Sequence, residues 1–139
     1  FIASFRPILE EGLDILYLGF SSGLSGTYNA GLVAAKELAD KYPEMKLIIA
    51  HLSSLQYIEA VENAKNGNIY VDTSAGGAAL NNVIEYAVSR IGSDKILFGT
   101  DTYACSYSFP RIALADLAME DKERILWKNA VKLFPGRFK

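Results

Sequence analysis

Three side chains able to ligate a metal or move a proton fall where apolar runs end. His51 follows KLIIA, Asp72 closes IYVD, and Asp101 comes two residues after KILFG. Imidazole and carboxylate are common donors to divalent cations, and two carboxylates can divide general acid and general base work. Open α/β sheets bind ligands beyond the carboxyl ends of their strands, where these runs would place all three. The donor set is small, however. The chain has one histidine, whereas a catalytic zinc normally takes three or more protein ligands. The expected roles are therefore structural: His51 hydrogen-bonded at the sheet edge, Asp72 capping the turn that follows it, and Asp101 ordering its loop. No catalytic residue, metal centre or cofactor is expected, and His51 and Asp101 stand as vestigial metal candidates.

A second chemistry sits in SSGLSGT, residues 21–27. Small residues let backbone N–H groups converge, hydroxyls add donors, and a following helix N-terminus favours negative charge. Ser21, Ser22, Ser25, Gly26 and Thr27 are the candidate anion-binding set; the alternative is an ordinary Ser/Thr-capped helix start. Cys105 has no nearby basic partner in sequence and reads as a spectator thiol. Trp127, Phe134 and the tyrosines read as packing residues.

The elements that must position these groups follow from hydrophobic period. Residues 2–11 read as a helix with Gly12 at its end. Residues 13–20 (LDILYLGF) read as a strand buried on both faces. A helix over 27–41 carries Leu32, Ala35, Leu38 and Ala39, and Tyr42-Pro43 ends it. Further strands are expected at 46–50, 69–72 and 95–99. Helices are expected from Ser53 or Ser54 to 65, with Leu55, Ile58, Val61 and Ala64 as its stripe, and over 79–91, 110–118 and 121–134. Strand–helix alternation at this spacing implies parallel strands with right-handed crossovers. The expected fold is a single α/β domain over 1–139: a four-stranded parallel sheet with flanking helices, three-layered like flavodoxin with strand order 2-1-3-4. The alternative is a half-barrel with one bare apolar face that dimerises.

Bulk properties exclude several classes. The 139 residues are half apolar and 22% charged, with formal net charge −2, as suits one globular domain. No basic excess points to nucleic acid, and no apolar run is long enough for a membrane helix. One cysteine fits a reducing, cytoplasmic setting or a cytosolic expression host. The chain does not begin with Met, so a trimmed chain or a piece of a longer one is expected.

Residues 13–35, LDILYLGFSSGLSGTYNAGLVAA, resemble the DegV family of fatty-acid-binding proteins. That resemblance implies a pocket for a fatty-acid carboxylate, with Ser22 as its carboxylate-binding serine. From residue 42 the pattern changes. YPEMKLIIAHL (42–52), NIYVDTS (68–74), KILFGTD (95–101) and ILWKNAVKLF (125–134) resemble the C-terminal part of the amidohydrolase superfamily, metal-dependent TIM-barrel hydrolases and decarboxylases. This implies that His51 corresponds to a metal ligand and Asp101 to a ligand and proton-transfer group; the superfamily's first-strand metal-binding pair has no counterpart. The two resemblances meet between residues 35 and 42, inside a helix. The expectation is an engineered or recombined chimera of fragments 1–40 and 42–139, a scaffold without evolved catalysis, monomeric or homodimeric. Its alternatives are weak binding of a small anion or fatty acid at 21–27, and a residual metal-dependent hydrolase.

Overall fold

The computed structural model describes residues 1–13, 26–52, 55–74, 82–101 and 105–137. The chain divides into two compact units, one of Phe1–Leu47 with Ala64–Asn68, the other of Ile48–Asn63 with Ile69–Lys139.

In the first unit, α1 spans Ile2–Glu10 and contains Pro7, which supplies no N–H to its own helix. Its end is made by Gly12 at φ +73°, with Gly12 N–H donating to Leu9 O at 3.0 Å and Leu13 N–H to Ile8 O at 3.1 Å. This is the left-handed glycine stop expected at that position. α2 spans Gly26–Lys41 and buries Ala34, Leu38 and Ala39. Its last carbonyls are capped by side chains from the 66–68 turn. Asn66 Nδ2 reaches Ala39 O at 2.9 Å, and the buried Asn68 Nδ2 reaches the carbonyls of Ala39, Tyr42 and Met45 at 3.1, 3.2 and 2.7 Å. These contacts satisfy acceptors that a helix end otherwise leaves open.

The second unit holds the sheet. β1 (Leu47–Ile49, its first residue belonging to the first unit), β2 (Ile69–Asp72) and β3 (Ile96–Leu97) lie in the order β1-β2-β3. β2 and β3 are parallel, with Val71 opposite Ile96 and Asp72 opposite Leu97. α3 (Leu55–Glu62) follows β1, and α4 (Val83–Ile91) precedes a 3-10 turn, Ser93–Lys95, that leads into β3. α5 spans Cys105–Ala113 and α6 Met119–Glu123. A π turn, Arg124–Lys128, joins α6 to α7 (Asn129–Leu133). Ile69, Val71 and Ile96 are sealed from water together with Tyr57, Ile58, Ile84, Ala87, Ile112 and Ile125. Strand residues two apart share a face, so Ile69 and Val71 present one apolar surface to this core.

Several expectations are corrected. Among the described residues the sheet has three strands, and most of the expected strand 13–20 lies outside them. The doubly wound order 2-1-3-4 would separate the strands at 46–50 and 69–72. They pair directly instead, the sequential order of the barrel-like alternative. Of the α3 stripe, Ile58 and Val61 are buried as expected, whereas Leu55 is exposed and Tyr57 is buried in addition. The helix expected at 110–118 begins at Cys105 and keeps Pro110 inside it. The last helix begins at Met119 and is interrupted by the π turn. Strand 95–99 shortens to Ile96–Leu97: the 3-10 turn takes up Lys95, and Phe98 and Gly99 lie beyond the strand.

Candidate functional site

The site forms where β1, β2 and β3 give way to loops. Leu47 N–H donates to Asn68 O at 2.9 Å and Leu52 N–H to Asp72 O at 2.8 Å. Between those two bonds the first strand carries one residue more than the second, as in a β-bulge. His51, inside that interval, has φ +65°, and a left-handed residue is a common way to absorb a bulge and re-aim a side chain. Asp101, beyond β3, is also left-handed at φ +55°. The two side chains meet: His51 Nε2 lies 3.6 Å from Asp101 Oδ2, with 33% and 29% of each side chain exposed. The pair is an ion pair when the imidazole is protonated, and both side chains are partly open to solvent.

Asp72 engages different partners. Its Oδ1 accepts from the backbone N–H of His51 at 3.0 Å, from the backbone N–H of Ser74 at 2.9 Å, and from Ser74 Oγ. The Ser74 contacts form the expected turn cap. Thr73 ties β2 to the segment after β3. Its N–H donates to Leu97 O at 3.0 Å, and its hydroxyl is 3.2 Å from both Gly99 O and Gly99 N. Gly99 has to be small, since a Cβ there would lie 3.0 Å from Ser74 Cβ and 3.3 Å from Asp72 Cγ.

The donor set among the described residues therefore stops at two. Among the described residues no group of three or more His, Cys, Asp and Glu side chains comes together to hold a metal ion, and the nearest third carboxylate has three internal donors on one oxygen. A catalytic zinc, which normally takes three or more protein ligands, is not fitted by these residues. Of the anion-binding candidates, Ser21, Ser22 and Ser25 lie outside the described residues, while Gly26 and Thr27 open α2. Cys105 opens α5.

Sequence reasoning missed a second charged centre. Arg111 of α5 grips Glu85 of α4 with Nη1–Oε1 at 3.2 Å and Nη2–Oε2 at 2.7 Å. The Arg111 hydrogen bonds, helped by backbone N–H groups and opposed by burial, pull the Glu85 carboxyl down to about 2. Beside it, Tyr107, Pro110, Arg111 and Leu114 line a shallow depression of about 380 Å³ along α5. On β2, burial and the nearby Asp94 carboxylate push the Tyr70 phenol up, and Lys95 Nζ sits 4.8 Å from the centre of that ring. Nothing in the spacing of 85 and 111, or of 70 and 95, marks these pairs in advance. No helix among the described residues is long and apolar enough to cross a membrane.

Comparison with known proteins agrees with both halves of the sequence reading. A short stretch is similar to a DegV domain-containing protein of Clostridium perfringens, 49% identical over 49 residues, which is 35% of this chain and 17% of that protein. The fold is similar to a dihydroxybenzoic acid decarboxylase from Polaromonas sp. JS666, solved with manganese and 2-nitroresorcinol (TM-score 0.63, 17% identity, 95% of this chain and 52% of that one). It is also similar to a 2,6-dihydroxybenzoate decarboxylase complexed with 2,6-dihydroxybenzoate (TM-score 0.65, 16% identity, 95% and 54%). The chain thus spans about half the length of these solved proteins. The amidohydrolase family model matches residues 29–136, from inside α2 to just past α7 and across both His51 and Asp101, and the chain belongs to the amidohydrolase family.

Proposed function

We propose that this stretch is a recombined α/β scaffold of the amidohydrolase family, natural or engineered, that has no hydrolase or decarboxylase activity by itself. One observation carries the reading: among the described residues no third His, Cys, Asp or Glu side chain comes together with His51 and Asp101 to hold a metal ion. A family whose chemistry rests on a bound metal needs more ligands than that. A cytoplasmic setting is part of the same proposal, resting on a single cysteine.

The test is a titration of 15N,13C-labelled chain with zinc, together with an assay of CO2 release from 2,6-dihydroxybenzoate in the presence of manganese. The expected result is no stoichiometric zinc binding at His51 and no CO2 above the buffer rate. Saturable one-to-one binding at His51 and Asp101, with turnover lost in Asp101→Asn, would overturn the proposal in favour of a residual metal-dependent enzyme.

A second reading, favoured by the DegV similarity and by a helix that starts at Gly26, is weak capture of a small anion or fatty-acid carboxylate by Ser21, Ser22, Ser25, Gly26 and Thr27. The support is physical: α2 begins at Gly26, directly after these serines in sequence, and a helix N-terminus favours negative charge. Addition of palmitate or inorganic phosphate should then give saturable amide shifts over 21–27 that are lost in Ser22→Ala. Unchanged spectra exclude it.

A further inference from the structure

We infer that Asp72 is the positioning residue of the strand-end site: its carboxylate holds the turn that aims His51 at Asp101, and it acts neither as a third ligand nor as a proton carrier. The inference does not depend on whether the site takes a cation or an anion.

Four observations converge on it. His51 is a non-glycine residue at φ +65°, a conformation that persists only where the surroundings hold it. The bulge also takes the His51 N–H out of the regular ladder, and Asp72 Oδ1 accepts it at 3.0 Å. The same oxygen accepts from the Ser74 N–H and hydroxyl, so three donors fix the carboxylate's orientation through charge-assisted bonds. Gly99 leaves the space it needs, since any Cβ there would press on Asp72 Cγ and Oδ1 at 3.3 Å. A carboxylate ordered by β1, β2 and the segment after β3 links the geometry of all three strand ends. Asp101 then meets an imidazole whose backbone is already set, 3.6 Å from its own Oδ2.

The single histidine of the chain makes the test unambiguous. The backbone amide and imidazole Cε1–H signals of His51 are recorded by NMR in the full chain, in Asp72→Ala and in Asp72→Asn, alongside the far-UV circular dichroism of each. Asp72→Ala should move both His51 signals and speed exchange of its amide by about tenfold or more, the loss expected for a hydrogen bond to a charged acceptor. Asp72→Asn keeps an acceptor oxygen in place and should restore the ring signal most of the way to wild type. Folded Asp72→Ala with unmoved His51 signals overturns the inference, as does Asp72→Asn moving the ring as far as alanine does. Should Asp72→Ala not fold, Ser74→Ala decides: it removes one of the three donors, and unmoved His51 signals there overturn the inference equally.

Discussion

Glu85→Gln isolates the electrostatic contribution of the α4–α5 clamp. Glu85 stands in the first turn of α4, and both it and Arg111 keep about a fifth of their side chains exposed (21% and 20%). The Glu85 carboxyl falls from 4.5 to about 2, first through the Arg111 hydrogen bonds. At about 1.36 kcal/mol for each tenfold change in proton affinity, the full effect would be about 3 kcal/mol. Solvent screening at a partly wet pair reduces this to about 1–2 kcal/mol. Between pH 4.5 and about 2 the unfolded chain binds a proton that the folded chain does not, so stability rises with pH through that window. The contribution is complete above it and is lost as the pH falls to about 2. Urea melts of wild type and Glu85→Gln, read by the single tryptophan at pH 7, 4, 3 and 2, cancel the titration of the other carboxylates in the difference. Wild type should exceed the variant by about 1–2 kcal/mol at pH 7, with the gap closing toward pH 2. A gap of the same size at pH 7 and pH 2 would refute the linkage and leave Arg111–Glu85 as a packing contact.

Gly99→Ala forces a Cβ against Ser74 and Asp72; thermal melts should show a loss of about 1–3 kcal/mol. Asn129→Ala removes a buried amide that donates to Ser93 O at 2.7 Å and Ile96 O at 2.8 Å. Both carbonyls lose a donor, although Ser93 O keeps the Ile96 N–H, and urea unfolding should register about 1–3 kcal/mol. Ile84→Ala empties a fully buried place on α4 and should lower stability by about 2–5 kcal/mol in the same assay.

The apolar runs KLIIA, NIYVD and KILFG were sufficient to place β1, β2 and β3, because a strand buried on its core face leaves a short, dense apolar signature. The meeting of His51 and Asp101 was half legible. A parallel sheet brings all carboxyl strand ends to one edge, but the approach of these two rests on left-handed backbone at both residues, which no apolar pattern encodes in a histidine or an aspartate. The role of Asp72 as a turn cap was readable from Asp-Thr-Ser, whereas its bond to His51 depends on the bulge. Helix α5 was misplaced because proline favours a helix start, yet the helix begins at Cys105 and carries Pro110 within it. The Glu85–Arg111 clamp was invisible because the pairing is tertiary.

The π turn between α6 and α7 has a consequence for length. An α-helix advances about 100° per residue, and the wider turn at Arg124–Lys128 accommodates one residue beyond the regular count. It is bridged by Glu123 and Lys128, whose Oε2 and Nζ lie 2.6 Å apart across five positions. Straightening that turn into regular α-helix with all its residues kept would therefore rotate everything after it by about 100°. Asn129 would swing off the carbonyls of Ser93 and Ile96, and Leu133 would leave its buried place. Deleting one residue as the turn closes to α pitch would instead leave the closing helix nearly in phase: the wide turn is the device that holds Asn129 and Leu133 in register despite the extra residue.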